Sequence, residues 1–256
     1  MWRFAAGQAT GTAHVKAGVP CQDRVKCVCL PNGLLVAALA DGAGSAKYAE
    51  TGAEVAVNTA VNHIAEYDWS SGCDFSPDLL VSAAQAACAS IRHQAIQSNE
   101  RLRDFAATFL FIVATRSSAA ALQIGDGLIV TQDDGNGWKW IFWPERGEYA
   151  NTTRFLTDED AFAEVQVHSF DCVPMDIALM SDGLESLALH YASKTAHEPF
   201  FGPMLKPLWA EEGCGEVQTL SETLRGFLTS PRIRQRTDDD LSLLIATRRP
   251  CIYNVS

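Results

Sequence analysis

Aspartate in this chain falls where apolar runs end. Leu34–Ala40 closes on Asp41-Gly42, Ala119–Ile124 on Gly125-Asp126-Gly127, and Asp176–Met180 on Ser181-Asp182-Gly183, while Asp238-Asp239-Asp240 opens the run Leu241–Ile245. An Asp-Gly pair is most often a hairpin turn. That accounts for Asp133-Asp134-Gly135-Asn136-Gly137, which lies between two strand-like runs. It does not account for Asp41-Gly42 or Asp182-Gly183, each of which leads into a helical pattern. If these strand ends meet at one rim, their carboxylates repel, by about 4 kcal/mol for two charges 4 Å apart at an effective dielectric near 20. A cation must offset the repulsion. Oxygen ligands without Cys or His select hard ions, Mg²⁺ or Mn²⁺. Glycine beside the acid lets the backbone come close, and its carbonyl can add a ligand. No Asp-x-Asp-x-Asp-Gly loop ends in a correctly spaced glutamate, so calcium of the EF-hand type is excluded. A carboxylate cleft holding two cations suits hydrolysis by an activated water, with phosphoryl oxygens as the usual substrate group.

The elements that must position these acids follow from periodicity. Val25–Leu30 and Leu34–Ala40 flank Pro31-Asn32-Gly33 and read as a hairpin. Ala49, Ala53, Ala56, Ala60 and Ile64 recur at helical spacing within 46–66, and Ser76-Pro77-Asp78 starts a second helix reaching Gln97, with Leu80, Ala84, Ala87 and Ile91 inward. Thr108–Thr115, Ala119–Gly125, Leu128–Gln132 and Trp138–Phe142 have connections too short for parallel crossovers and predict one antiparallel meander. A strand at Asp176–Ser181, a helix at Leu184–Ala192, less regular helices and a last strand at Leu241–Thr247 complete the reading. Strands and helices come in blocks, which predicts an α+β fold, sheet on sheet with helices outside.

Composition sets the bounds. The 256 residues are 47% apolar and carry a formal charge of −11, which disfavours a nucleic-acid backbone as partner. No apolar run approaches the length of a membrane helix, and no apolar signal core follows Met1, so no membrane partner and a cytoplasmic location are expected. The eight cysteines include no Cys-x-x-Cys and predict reduced thiols. No linker or repeat divides the chain, so residues 1–256 are expected to be a single domain, and a monomer.

Cys21-Gln22-Asp23, Leu39-Ala40-Asp41-Gly42-Ala43-Gly44, Gln123-Ile124-Gly125-Asp126-Gly127, Met180-Ser181-Asp182-Gly183-Leu184 and Asp239-Asp240-Leu241-Ser242 stand in the order of the metal-dependent PPM family of serine/threonine phosphatases, type 2C. The chain resembles the shorter bacterial branch of that family over residues 10–247. The resemblance implies a four-layer αββα sandwich, two mainly antiparallel sheets flanked by helix pairs. It also implies phosphorylated proteins as substrates and attack by a metal-bridging hydroxide with no covalent phosphoenzyme. Asp41 would bridge two Mg²⁺ or Mn²⁺ ions, with the Gly42 carbonyl as a further ligand, and Asp182 and Asp239 would hold one of them. Asp126, with Asp182, would form a weaker third site, and Asp23 would act through ordered water. Asp41 and Asp182 are therefore the residues on which catalysis would rest.

The chain departs from the family at several points. Gln22 stands where an acid is common, Ala43 where eukaryotic members place a histidine, and Ser45 where a glycine is common; Ser45 is expected to cap the following helix. The usual phosphate-binding arginine is absent at Gly18-Val19, which leaves His14 and Lys16 as the nearest cations and Arg154, in a short flap, as a further substrate contact. Two other readings are compatible with the sequence: a phosphatase-fold binding module without turnover, and a small-molecule phosphoesterase. Arg232, Arg234 and Arg236 precede the acidic triplet and are expected to balance it or to face solvent, with a docking surface for phosphorylated partners as the alternative.

Overall fold

The computed structural model describes residues 1–69, 75–134, 137–143, 153–163 and 165–250. The Gly135-Asn136 centre of one expected turn, residues 148–152 of the flap, Cys73 and Cys251 lie outside them. The chain is α+β. In order it forms β1 (Arg3–Ala9), α1 (Thr12–Ala17), β2 (Arg24–Cys29), β3 (Leu35–Ala40), α2 (Ala49–Ala65), α3 (Asp78–Gln97), β4 (Phe109–Ala114), β5 (Ala119–Ile124), β6 (Leu128–Gln132) and β7 (Trp138–Trp140). Then follow β8 (Gln166–Phe170), β9 (Asp176–Met180), α4 (Glu185–Ala188), β10 (Leu189–His190), β11 (Thr195–Ala196), α5 (Glu198–Trp209), β12 (Gly215–Glu216), α6 (Gln218–Leu228), α7 (Pro231–Arg234) and β13 (Leu241–Thr247).

Two sheets carry the fold, β12-β1-β13-β9-β6-β7 and β2-β3-β4-β5-β8. Only the β1–β12 pair within them is parallel. Three apolar cores separate the layers. Alternate residues of β3 and β4 explain how: Val36, Ala38, Phe109, Phe111 and Val113 face α2 and α3, while Leu35, Ala37, Leu39, Leu110 and Ile112 face Ile129, Ile177, Leu179 and Leu244 of the other sheet. Residues opposite in parity on a strand point to opposite faces, so strands buried on both sides are apolar throughout, as β3 and β4 are. The third core joins Leu128, Ala178, Met180 and Leu243 to Phe201 and Leu205 of α5 and Leu224 and Leu228 of α6.

The hairpin at Pro31–Gly33 forms as expected, with Gly33 at φ 87° and its N–H on the Leu30 carbonyl at 2.9 Å. Helix α3 starts where the Ser76 hydroxyl accepts the Asp78 N–H at 3.2 Å. Ser45 caps nothing; Tyr48 begins α2, and Ser45 is exposed.

The single meander does not form. β5 pairs with β4 and β8, whereas β6 pairs with β7 and β9 in the other sheet. The chain changes sheets at Gly125-Asp126-Gly127, whose extended reach of about 10 Å matches the spacing of two packed sheets. Gly125 takes φ 100° there. The helix expected at Leu184–Ala192 shortens to a 3-10 turn over Asp182–Leu184 and the single turn α4, because Leu189 and His190 pair with Ala196 and Thr195. The sequence does not predict β1, α1 or β8; β8 is a polar, largely exposed edge strand.

Candidate metal centre

The sheet rim gathers the acids. His14, Asp41, Gly42, Asp126, Asp182 and Asp239 all line one open cavity of about 210 Å³, with Ala43, Gly44, Thr108, Thr153 and Phe155 completing its wall. Each acid arrives on a different strand end.

Asp41 follows β3. Its N–H donates to Thr108 Oγ1 at 3.1 Å, and the Thr108 N–H returns a bond to the Asp41 carbonyl at 2.8 Å. Gly42 then bridges Ala107, and a Cβ on Gly42 would stand 2.8 Å from Ala49. Glycine is thus what lets the start of α2 press against the site. Asp182 opens the 3-10 turn after β9, where Ser181 and Ser242 tie β9 to β13 through Ser181 N–H on the Ser242 carbonyl at 3.1 Å and Ser242 N–H on Ser181 Oγ at 3.0 Å.

Asp126 sits in the sheet-to-sheet crossing. The buried Gln123 amide donates to the carbonyls of Gly125 and Gly127 at 3.1 and 2.9 Å, and Thr153 Oγ1 donates to Asp126 Oδ2 at 2.7 Å.

The acidic triplet, in the segment just before β13, divides its labour. Asp239 lines the cavity. Asp240 points inward, is 2% exposed, and accepts the N–H groups of Gly11 and Gln22, both at 2.6 Å. It thereby pins α1 and the segment leading to Asp23 against β13. His14 Nδ1 lies 2.9 Å from Asp240 Oδ2, at ion-pair distance but out of line for a hydrogen bond. The roles of Asp240, Thr108, Gln123 and Thr153 carry no signal in the sequence, because each depends on contacts between segments far apart along the chain.

Asp23 stands behind the cavity, fully buried. Asp41, Ser181 and Ser242 are near enough to weigh on its acidity, yet among the described residues neither carboxylate oxygen has a hydrogen-bond partner of good geometry, and neither does Asp182 Oδ1. Buried acceptors are normally satisfied.

Burial and mutual repulsion raise four of these acids, Asp23, Asp41, Asp182 and Asp239. Burial, then the charges of Asp23, Asp182 and Asp239, hold Asp41 far above the usual carboxylate range. Burial, then Asp126, Asp239 and Asp23, push Asp182 up to about 7. Burial raises Asp23 to about 6 against the opposing hydrogen-bonding groups, and burial raises Asp239 as well.

The donor set fits a hard divalent cation: oxygen ligands only, several of them ionisable, with buried carboxylate oxygens that no protein donor satisfies. The acids share the cavity without closing on one point. Among the described residues no three His, Cys, Asp or Glu side chains are already drawn together to hold an ion.

The two remaining cations expected at the site lie differently. Lys16 is exposed and absent from the cavity wall, because residues two apart on α1 point to different sides of the helix. Arg154 places Nη1 3.8 Å from Asp160, while its chain neighbours Thr153 and Phe155 face the cavity.

This fold and this acid-lined rim define a family, and comparison with known proteins names it. Residues 10–229 match the family described as protein phosphatase 2C, and the chain belongs to it. The match ends before Asp239. Serine/threonine-protein phosphatase 3 of Escherichia coli (strain K12) is 33% identical over 249 residues, covering 96% of this chain and 98% of that protein. Among solved structures, the serine/threonine phosphatase Stp1 from Staphylococcus aureus aligns with a TM-score of 0.65 at 13% identity over 97% of this chain and 96% of that one. The S. agalactiae serine/threonine phosphatase aligns at 0.67 and 14% over 97% and 100%. RsbX in complex with magnesium aligns at 0.55 and 14% over 95% and 94%.

Proposed function

We propose that this chain is a Mg²⁺- or Mn²⁺-dependent phosphatase that hydrolyses phosphoserine and phosphothreonine monoesters in proteins. The convergence of Asp41, Asp126, Asp182 and Asp239 on one cavity, with Asp23 unsatisfied behind it, carries the reading. Asp41 is the group on which the other acids weigh most, which suits a carboxylate shared between two ions, with the Gly42 carbonyl beside it. Asp182 and Asp239 would hold one ion, Asp126 with Asp182 would provide a weaker third position, and Asp23 would act through water. Bound there, such ions lower the pKa of a water and draw charge from the phosphoryl oxygens during in-line displacement.

The chain's own residues supply orientation. Thr108 fixes the Asp41 backbone, Ser181 and Ser242 fix the approach to Asp182, and Asp240 holds His14 at the cavity wall, where its ring can face a phosphoryl oxygen. The cavity is shallow and open, which suits a phosphorylated side chain presented on a peptide.

Asp41→Asn and Asp182→Asn should each lower Mn²⁺-stimulated release of phosphate from a phosphothreonine peptide by about a hundredfold or more, with the circular dichroism spectrum unchanged. Full turnover in both variants would overturn the assignment.

A further inference from the structure

A second hollow, of about 600 Å³, opens among α4, α5, α6 and α7 on the outer side of the sheet that holds β13. Its volume is in the range that encloses a small organic ligand. One wall is a stripe of Pro199, Pro203 and Pro207 along α5, with Phe200 and Met204 between them. Proline inside a helix forfeits a backbone hydrogen bond, and Pro203 and Pro207 both do so on the face that lines the hollow. Leu220, Leu224 and Phe227 of α6 form the facing wall.

The rim is cationic. Arg232 of α7 and Arg236, just past the end of that helix, both line the hollow and both are exposed. Among the described residues neither guanidinium has a hydrogen-bond or ion-pair partner. In a chain of charge −11, two unneutralised arginines at the mouth of an apolar hollow select for negative charge there. Guanidinium forks match carboxylate or phosphate-like oxygens.

We infer that this hollow is a binding site for a small amphipathic anion, an aliphatic or aromatic body ending in a carboxylate or phosphate-like head, with the body between α5 and α6 and the head at Arg232 and Arg236. The site is distinct from the metal centre. It nonetheless abuts two of the segments that carry metal-centre acids, since Ser186 and Leu187 of its lining follow Asp182 and Arg236 precedes Asp239.

Calorimetric titration of the full chain in Mg²⁺ buffer tests this with octanoate and with octylphosphonate, whose head cannot be hydrolysed. Each should bind with unit stoichiometry and a dissociation constant of about 1 mM or tighter; octanol, octylammonium and acetate should bind at least about tenfold more weakly. The double variant Arg232→Glu/Arg236→Glu should lose about tenfold in affinity for the anions, and Thr223→Trp, which fills the hollow from an exposed lining position, should abolish binding. The melting temperature of each variant without ligand confirms that it folds. Absence of binding, equal binding of octanol and octanoate, or affinity unchanged in both variants would overturn the inference. So would concentration-dependent dimerisation that Thr223→Trp abolishes, which would assign the hollow to a second copy of the chain.

Discussion

Asp23 and Asp176 are both fully buried carboxylates, and the protein treats them in opposite ways. Asp176 receives Arg249 Nε at 2.7 Å, Thr247 Oγ1 at 2.7 Å and Trp209 Nε1 at 2.8 Å. It is a satisfied structural acid. Asp23 has no aligned donor and faces Asp41 across the site. The difference has a thermodynamic signature. Asp23 and Asp182 hold protons in the folded chain up to about pH 6 and 7, whereas in the unfolded chain they release them near 4. The folded state therefore binds more protons through this interval, and stability falls as pH rises. The contribution is complete below the unfolded value and is lost through the folded one. The surrounding groups, Asp41, Asp126, Asp239, Asp240 and His14, leave the acids in the majority. In EDTA the melting temperature should drop between about pH 4 and 7, and Mn²⁺ at pH 7.5 should restore it. A flat profile in EDTA would contradict this account of the cluster, and so would a drop of equal size in the Asp23→Asn/Asp182→Asn double variant.

The element that matters most is the three-residue crossing between sheets. Asp126 reaches the cavity because Gly125 takes a left-handed conformation and Gln123 grips both flanking carbonyls. A Cβ at Gly125 would stand 2.7 Å from Thr108, the residue that also brackets Asp41. Gly125→Ala should therefore act at a distance, displacing Thr108 and with it Asp41, and lowering kcat by about tenfold. Gln123→Ala removes two buried hydrogen bonds and should cost about 2–3 kcal/mol in urea unfolding. Unfolding curves for Gln123→Ala that overlay the parent would show that the crossing holds without its clamp.

At the scale of the molecule, net charge decides which substrates approach. A surface at −11 repels phosphopeptides rich in Asp and Glu and draws those flanked by Lys and Arg, and added salt screens both effects. For paired peptides of equal length, kcat/KM should favour the basic one at low ionic strength, and the ratio should shrink towards unity by about 0.3 M salt. A ratio indifferent to salt would place the discrimination in contacts at the cavity. Among the described residues no helix is long and apolar enough to cross a membrane.

Much of the α+β frame was legible because its strands and helices carry periodic apolar faces: the hairpin at Pro31–Gly33, the inward stripe of α2 and α3, and the apolar runs of β3 and β4 are local patterns. The acids at the strand ends were legible for the same reason, since a run that stops on Asp-Gly and turns into a helix leaves the turn reading without a use. The pairing of strands was not legible. β5 and β6 are neighbours in sequence yet belong to different sheets, and β8, with no amphipathic signature, takes the place expected of β6. Nor could the sequence show that Asp239 faces the cavity while Asp240 grips Gly11 and Gln22, that Lys16 turns to solvent, or that Arg232 and Arg236 border a hollow. Residue type and spacing determine which groups could do chemistry, because those depend on chain-local geometry. Which of them meet depends on contacts between segments far apart along the chain, and only tertiary packing settles those.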